Sequence, residues 1–236
     1  MRLSPSPENL VLRAAHQAKR SAWQLKHIVF DVGEQLWTAD APVSYVLFPL
    51  RGVVSLQVSG DRGKRADIAL LGREGCAEIP LLLGAEHSHM IATGFTGGEA
   101  LLMPSELFAI FLRDPRFRDA VNRYMRLFLV MLHQVSFCNR VHVIEKTIIG
   151  RLLLIHDRTQ SNSFQLTQAF FAGILGVRKA TISRVAGRLQ AQGAIRYDGR
   201  GRLTILDRPQ LERQACSCYR TIKTESENLI AALGGF

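Results

Sequence analysis

The 236-residue sequence predicts an α+β chain in three parts: an N-terminal β-roll of the jelly-roll kind, a long helix, and a C-terminal winged helix-turn-helix. Three observations predict it. Short apolar runs between Ile28 and Leu102 are punctuated by glycines, the pattern of many short strands joined by turns. From Arg116 apolar residues recur at steps of three and four over about twenty residues, the period of a helix with a buried face. Finally, Gln168 to Arg188 has the apolar spacing, the small residue and the turn glycine of two short helices crossing steeply around a small core. The expected division is residues 1–110 for the roll with an N-terminal helix, 111–138 for the long helix, and 139–236 for the C-terminal domain.

In the first part, strands are expected at Tyr45–Pro49, Val53–Val58, Ala66–Leu71, Ile91–Phe95 and Ala100–Met103. Val53, Ser55, Gln57 and Ser59 alternate with Val54, Leu56 and Val58, which predicts one wet and one dry face for the middle strand. The charged segment Glu8 to Lys26 reads as an amphipathic helix region. Further on, Pro104-Ser105-Glu106 opens a short helix and Asp114-Pro115 breaks it. The long helix follows, with Phe117, Val121, Tyr124, Met125, Phe128, Met131, Leu132, Val135 and Ser136 inward. Its run Phe128 to Leu132 is too apolar for a helix exposed on most sides. The helix packs either on its own roll alone or also on its twin in a homodimer, and the second reading is preferred.

In the helix-turn-helix, Thr167 is placed as N-cap and Gly176 at the turn. Phe171, Ala172, Leu175, Val177, Ile182 and Val185 are expected inward, with Arg178, Lys179, Ala180, Ser183, Arg184 and Arg188 between them and outward. Gly193 closes the second helix. A hairpin follows: Ala194–Tyr197, the turn Asp198-Gly199-Arg200-Gly201, and Arg202–Leu206. With arginine at 196, 200 and 202, that hairpin is a wing suited to a phosphate backbone. Asp207 and Pro209 then start one final helix running to about Leu233.

Charge points the same way. The chain has 30 Lys and Arg against 20 Asp and Glu, a net charge of +10, which favours a polyanionic partner. Between Asn139 and Arg213 there are thirteen Lys or Arg against five Asp or Glu, a net of +8, so most of the excess sits with the helix-turn-helix. Double-stranded DNA is the expected partner. No apolar run approaches a membrane span, and Arg13, His16, Lys19 and Arg20 interrupt any signal region, so a soluble cytoplasmic protein without membrane partner is expected.

A glycine-rich roll, a long helix and a C-terminal winged helix together resemble the CRP/FNR superfamily of bacterial transcription regulators. The likeness runs from Asp31-Val32-Gly33-Glu34 to the last hairpin and is strongest from Leu166-Thr167-Gln168 to Ile195. Cys138-Asn139-Arg140-Val141-His142 and Ala215-Cys216-Ser217-Cys218-Tyr219 are similar to one branch of that superfamily. The resemblance implies a cyclic-nucleotide-binding-like roll, a dimer on a palindromic DNA site, and contact with RNA polymerase if the protein activates. Members that bind cyclic AMP hold its phosphate with a Gly-Glu pair and, ten residues on, an arginine. Here Glu78 follows Ala77, and the arginine position falls at Ser88 in a stretch without arginine, which argues against cyclic AMP and leaves the cofactor open. Glu78, Ser88 and His89 remain the candidate ligand-binding residues of the roll.

The DNA-reading pattern also departs from the family's. Arg184 stands where a guanine-reading arginine belongs, but Ala180 cannot accept a bond from cytosine and offers only a methyl to thymine. Arg178, Arg188, Arg196, Arg200 and Arg202 are assigned to phosphate.

Four cysteines remain: Cys76, Cys138, Cys216 and Cys218. The preferred expectation is reduced, buried thiols, with Cys76 in the roll core. The alternative is a metal or redox site, and hence a thiol- or metal-responsive regulator, if the last helix folds back so that Cys138, His142 and one of Cys216 and Cys218 converge. On one helix those last two point different ways, and their spacing is not that of a zinc ribbon. An enzyme is not expected. His87-x-His89 resembles the metal motif of cupins, but Thr93 and Gly94 stand where the required Glu belongs.

Overall fold

The computed structural model describes residues 9–15, 25–60, 63 and 65–234. The expected helix over Glu8 to Lys26 lies largely outside them; within them α1 spans Leu10–Ala14. Asn9 anchors it, accepting from Leu12 N at 3.0 Å and donating to the carbonyls of Pro49 and Gly75 at 2.9 and 2.7 Å.

Among the described residues seven antiparallel strands build the roll: β1 (Lys26–Phe30), β2 (Gln35–Trp37), β3 (Tyr45–Arg51), β4 (Val54–Ser59), β5 (Arg65–Leu71), β6 (Ile91–Gly94) and β7 (Gly98–Pro104). They form two sheets, ordered β1-β7-β3 and β2-β6-β4-β5. Every expected strand is present within a residue or two, and β1 and β2 are additional. Phe30, Phe48, Phe95 and Leu56 fill the roll, which merges with the helical core behind it.

The short helix α2 covers Ser105–Phe111, and α3 covers Pro115–Val141. Asp114-Pro115 both stops the first and starts the second. Asp114 Oδ1 accepts from Arg116 N at 2.8 Å, and Pro115 occupies the first turn, where its missing N–H costs nothing. The buried face of α3 is Phe117, Ala120, Val121, Tyr124, Leu127, Phe128, Met131, Val135 and Cys138. Tyr124 lies against Gly75, where any Cβ would collide with its ring.

The expected wet face of β4 is not wet. Ser55 and Gln57 are buried, because a helix that the sequence pattern did not reveal, α4 (Ile144–Thr159), lies over that side of the sheet. Arg151 of α4 reaches Asp67 of β5 at 2.7 Å, Ser55 Oγ donates to Asp67 Oδ1 at 2.7 Å, and Gln57 Nε2 donates to Ser55 Oγ at 3.2 Å. A second buried pair, Arg158 and Glu74 at 2.7 Å, lies further along the same helix. The polar stripe of β4 is thus half of a buried network, with both buried arginines paired as burial demands.

The C-terminal domain continues with β8 (Ser163–Gln165), α5 (Gln168–Leu175), α6 (Lys179–Ala191), β9 (Ile195–Tyr197) and β10 (Arg202–Ile205), its sheet ordered β8-β10-β9. The single final helix expected after Asp207 is two: α7 (Arg208–Gln214) and α8 (Ser217–Ala232), separated by the extended residues Ala215 and Cys216. No glycine or proline marks that break. The α8 helix packs along α3, with Arg126 meeting Glu225 at 3.1 Å, and Tyr219 Oη accepts from Arg208 at 2.8 Å. Among the described residues no helix is long and apolar enough to cross a membrane.

Candidate nucleic-acid interface

The first helix of the motif, α5, starts where a side chain can cap it. Thr167 Oγ1 accepts from Phe170 N at 3.2 Å, and Gly176 closes the helix at φ 65°, a conformation that favours glycine. The inward set is Phe171, Ala172, Ile174, Ile182, Val185, Ala186 and Leu189. Ile174 takes the buried place expected for Leu175; Leu175 and Val177 are only partly covered. Phe95 of the roll meets Phe170 at 5.6 Å and Phe171 at 6.1 Å, both edge to face.

Along α6 the outward residues Arg178, Lys179, Ala180, Ser183, Arg184 and Arg188 are all exposed, and no acidic residue interrupts them. Arg178 is the N-cap, and Arg184 lies on the free face in the second turn of the helix. Arg188 pairs with Glu145 at the start of α4, a partner that sequence reading missed because the two are far apart in the chain.

Hydrogen bonds tie the wing to α6 and to the segment that leads into α5. Gln190 Oε1 accepts from Tyr197 N at 2.9 Å, Gln165 Nε2 donates to Arg200 O at 2.8 Å, and Leu166 N donates to Gly201 O at 3.0 Å. Asp198 shapes its tip, accepting at Oδ1 from the backbone N–H groups of Arg200 and Arg202 at 3.0 and 2.8 Å. Those bonds, the one from Arg202 first, hold the Asp198 carboxyl below its ordinary range. The Asp-Gly turn signal was legible; the inward bond of the Asp side chain, which leaves Arg196, Arg200 and Arg202 exposed on one hairpin, was not.

In the roll, Glu78 and Ser88 meet and His89 does not join them. Ser88 Oγ donates to Glu78 Oε1 at 2.9 Å, and both line a cavity of about 130 Å³ with Trp37, Tyr45 and Leu102. Burial pushes the Glu78 carboxyl up, and its Oε2 is buried with no hydrogen-bond partner among the described residues. His89 points outward, 3.7 Å from Asp40, and its neighbour His87 is likewise exposed.

The thiols are brought together more completely than expected. Cys138, His142, Cys216 and Cys218 place their ligand atoms within 4.8 Å of one another. The expectation that Cys216 and Cys218 diverge is corrected by the helix break: Cys216 is the extended N-cap of α8 and Cys218 lies in its first turn, so both face the end of α3. The hydrogen bond shared by Cys138 and Cys216 pulls the Cys216 thiol down and pushes Cys138 up, while burial raises Cys218. Cys76 is separate, fully buried in the roll core as expected, and burial holds its thiol protonated.

A β-roll joined through a long helix to an exposed, basic winged helix-turn-helix defines the molecule as one of the winged-helix DNA-binding architectures. Residues 148–214 match the family model of the Crp-like helix-turn-helix domain. Solved structures extend the likeness across the chain. TTHA1359, a CRP/FNR-family transcriptional regulator from Thermus thermophilus, is 18% identical with a TM-score of 0.63, covering 80% of this chain and 98% of its own. FixK2 from Bradyrhizobium japonicum is 17% identical with a TM-score of 0.65, covering 81% and 98%. A CooA mutant from Carboxydothermus hydrogenoformans is 15% identical with a TM-score of 0.62, covering 90% and 97%. No protein of curated function matches the sequence. Residues 148–214 are therefore similar to the Crp-like helix-turn-helix domain, and the chain has the overall fold seen in CRP/FNR-family regulators.

Proposed function

We propose that this protein is a CRP/FNR-type transcription regulator that binds a palindromic duplex site as a homodimer. The observation that carries the reading is the exposed basic face of α6, with no acidic residue of its own helix on it, beside an arginine-bearing wing. In this reading residues 1–110 sense, 111–138 dimerise and 139–236 bind DNA. Support for the dimer comes from α3, whose side away from the roll exposes Leu129, Phe137 and Val141, apolar residues a lone chain leaves in water. Two copies joined there present two recognition helices to successive major grooves. Arg184, Lys179, Ala180 and Ser183 face base edges, while Arg178, Arg196, Arg200 and Arg202 face phosphates; Arg188 reaches phosphate by leaving Glu145. Polymerase becomes a partner where the protein activates.

The signal is not cyclic AMP in this reading, and the chain is a regulator rather than an enzyme. Glu78 is engaged by Ser88, and among the described residues no arginine lines the cavity beside it, so a cyclic phosphate there would lack its guanidinium partner. The converging thiols favour a second reading of the input, in which it arrives at Cys138, Cys216 and Cys218.

The test selects a site from a pool of random duplexes and compares wild type with Arg184→Ala by fluorescence anisotropy. The variant is expected to lose about 1–3 kcal/mol on the selected site while keeping its weak binding to random DNA. Equal losses on both duplexes would remove Arg184 from base readout, and failure to select any site would overturn the reading.

A further inference from the structure

We propose that Cys138, His142, Cys216 and Cys218 form a closed, mononuclear site for a thiophilic divalent ion of the zinc class, fastening the C-terminal helix to the end of α3.

The distances carry this. In a tetrahedral zinc centre with Zn–S of about 2.3 Å and Zn–N of about 2.0–2.1 Å, the edges are about 3.8 Å between sulfurs and about 3.6 Å between sulfur and nitrogen. Cys138 Sγ and Cys216 Sγ are 3.8 Å apart, and Cys218 Sγ and His142 Nδ1 are 3.6 Å apart. All four ligand atoms lie within 4.8 Å of one another, and all three cysteines are buried. Two sulfurs in a disulfide would stand about 2.05 Å apart. An iron–sulfur cluster places its own sulfides between the cysteines and holds them further apart than a single ion does. The spacing therefore selects one ion with four protein ligands and no open position, a structural rather than catalytic centre. Three thiolates and one imidazole are a soft donor set that suits zinc and disfavours magnesium or calcium.

Local backbone geometry explains how so sparse a sequence pattern builds it. Cys138 is in the last turn of α3, and His142 is its C-cap, four residues on, so the two share one side of the helix end. His142 N donates to Cys138 O at 3.0 Å, and its ring is seated edge-on against Phe137 at 5.7 Å. Cys216 and Cys218, two residues apart, could not share a side of a continuous helix; with Cys216 extended and Cys218 in the first turn, both reach inward. Outside the ligands, Thr147 Oγ1 lies 3.4 Å from Cys138 Sγ, the kind of hydroxyl contact that orients a metal-bound thiolate. A small cavity of about 30 Å³ borders the three cysteines.

The position gives the site consequence. Residues 142 and 143 are the joint between α3 and α4, and one ligand is that joint. An ion there ties the joint to the break between α7 and α8, so loading or removing it sets how rigidly the C-terminal domain is held to α3. The site rests on side-chain geometry alone and stands independently of the DNA reading.

The experiment is metal analysis of the full-length protein purified without chelator, followed by removal of the ion and titration with Co²⁺. Expected are one zinc per chain and, with cobalt, the intense visible absorption of a tetrahedral thiolate centre at one equivalent. Cys216→Ser and His142→Ala should each weaken cobalt binding by at least about a hundredfold, whereas Cys76→Ser should leave it unchanged. Should a ligand variant fail to fold, the metal-free wild type carries the test, since its thermal midpoint must rise on adding Zn²⁺ and not on adding Mg²⁺. A metal-free chain with four free thiols that takes up no cobalt overturns the proposal. So does a Cys138–Cys216 disulfide in anaerobically prepared protein, or zinc retained equally by Cys216→Ser.

Discussion

Replacing Arg151 by methionine removes one member of the buried pair that joins α4 to the roll and leaves the Asp67 carboxylate with no countercharge at 2.7 Å. The side chains of Arg151 and Asp67 are 6% and 1% exposed, so water cannot take over the lost role. Breaking a pair this buried costs about 3–5 kcal/mol, because the remaining charge is still desolvated. With a urea m-value of about 3 kcal/mol/M, the midpoint should fall by roughly 1–2 M, read by circular dichroism. The double variant Asp67→Leu/Arg151→Met should recover most of that loss. What remains is the orphaned Ser55 hydroxyl, which donates to Asp67 in the native chain, about 1 kcal/mol. The deficit of the single variant should also depend on pH. Burial raises the Asp67 carboxyl and Arg151 lowers it, so without the arginine it rises further. The folded state then binds that proton more tightly than the unfolded one, and stability falls as pH rises through the carboxylate's raised range. The gap to wild type should therefore narrow in acid. A single-variant cost below about 1 kcal/mol, or a double variant no better than the single, would refute the buried-pair reasoning.

Two further outcomes are expected. Thr167→Ala should destabilise the C-terminal domain by about 1 kcal/mol through loss of the cap on Phe170 N, with hydrogen-exchange protection falling first at the start of α5 and Thr167→Ser restoring it. Arg200→Ala and Arg202→Ala should weaken binding to all duplexes alike, without changing the preferred sequence in a selection. Each should flatten the salt dependence of log K by about 0.9 for every phosphate it no longer neutralises.

What could be read in the sequence was whatever one segment settles by itself. Thr167 and Gly176 bound α5 because capping and left-handed turns depend on neighbours three or four residues away. Asp114-Pro115 marks the start of α3, and alternation with glycine turns marks the strands, for the same reason. The helix α4 escaped notice because Thr147 to Ile155 are all buried, and a helix covered on every side shows no amphipathic stripe. β8, only three residues long, carries too little pattern to register.

The sequence by itself determined the three parts of the chain, the helix-turn-helix with its wing, the basic face of α6 and the four candidate thiol-site residues. The tertiary structure alone decided that Ser55 and Gln57 are buried, that His89 faces away from Glu78, and that α7 and α8 are separate helices. It also decided that Cys216 meets Cys138 across 78 residues of chain and Cys218 meets His142 across 76. The reason is physical. Turns, caps and periods are energies of adjacent residues, whereas burial, ion pairing and convergence of ligands depend on which distant surfaces meet, and that is set only when the whole chain packs.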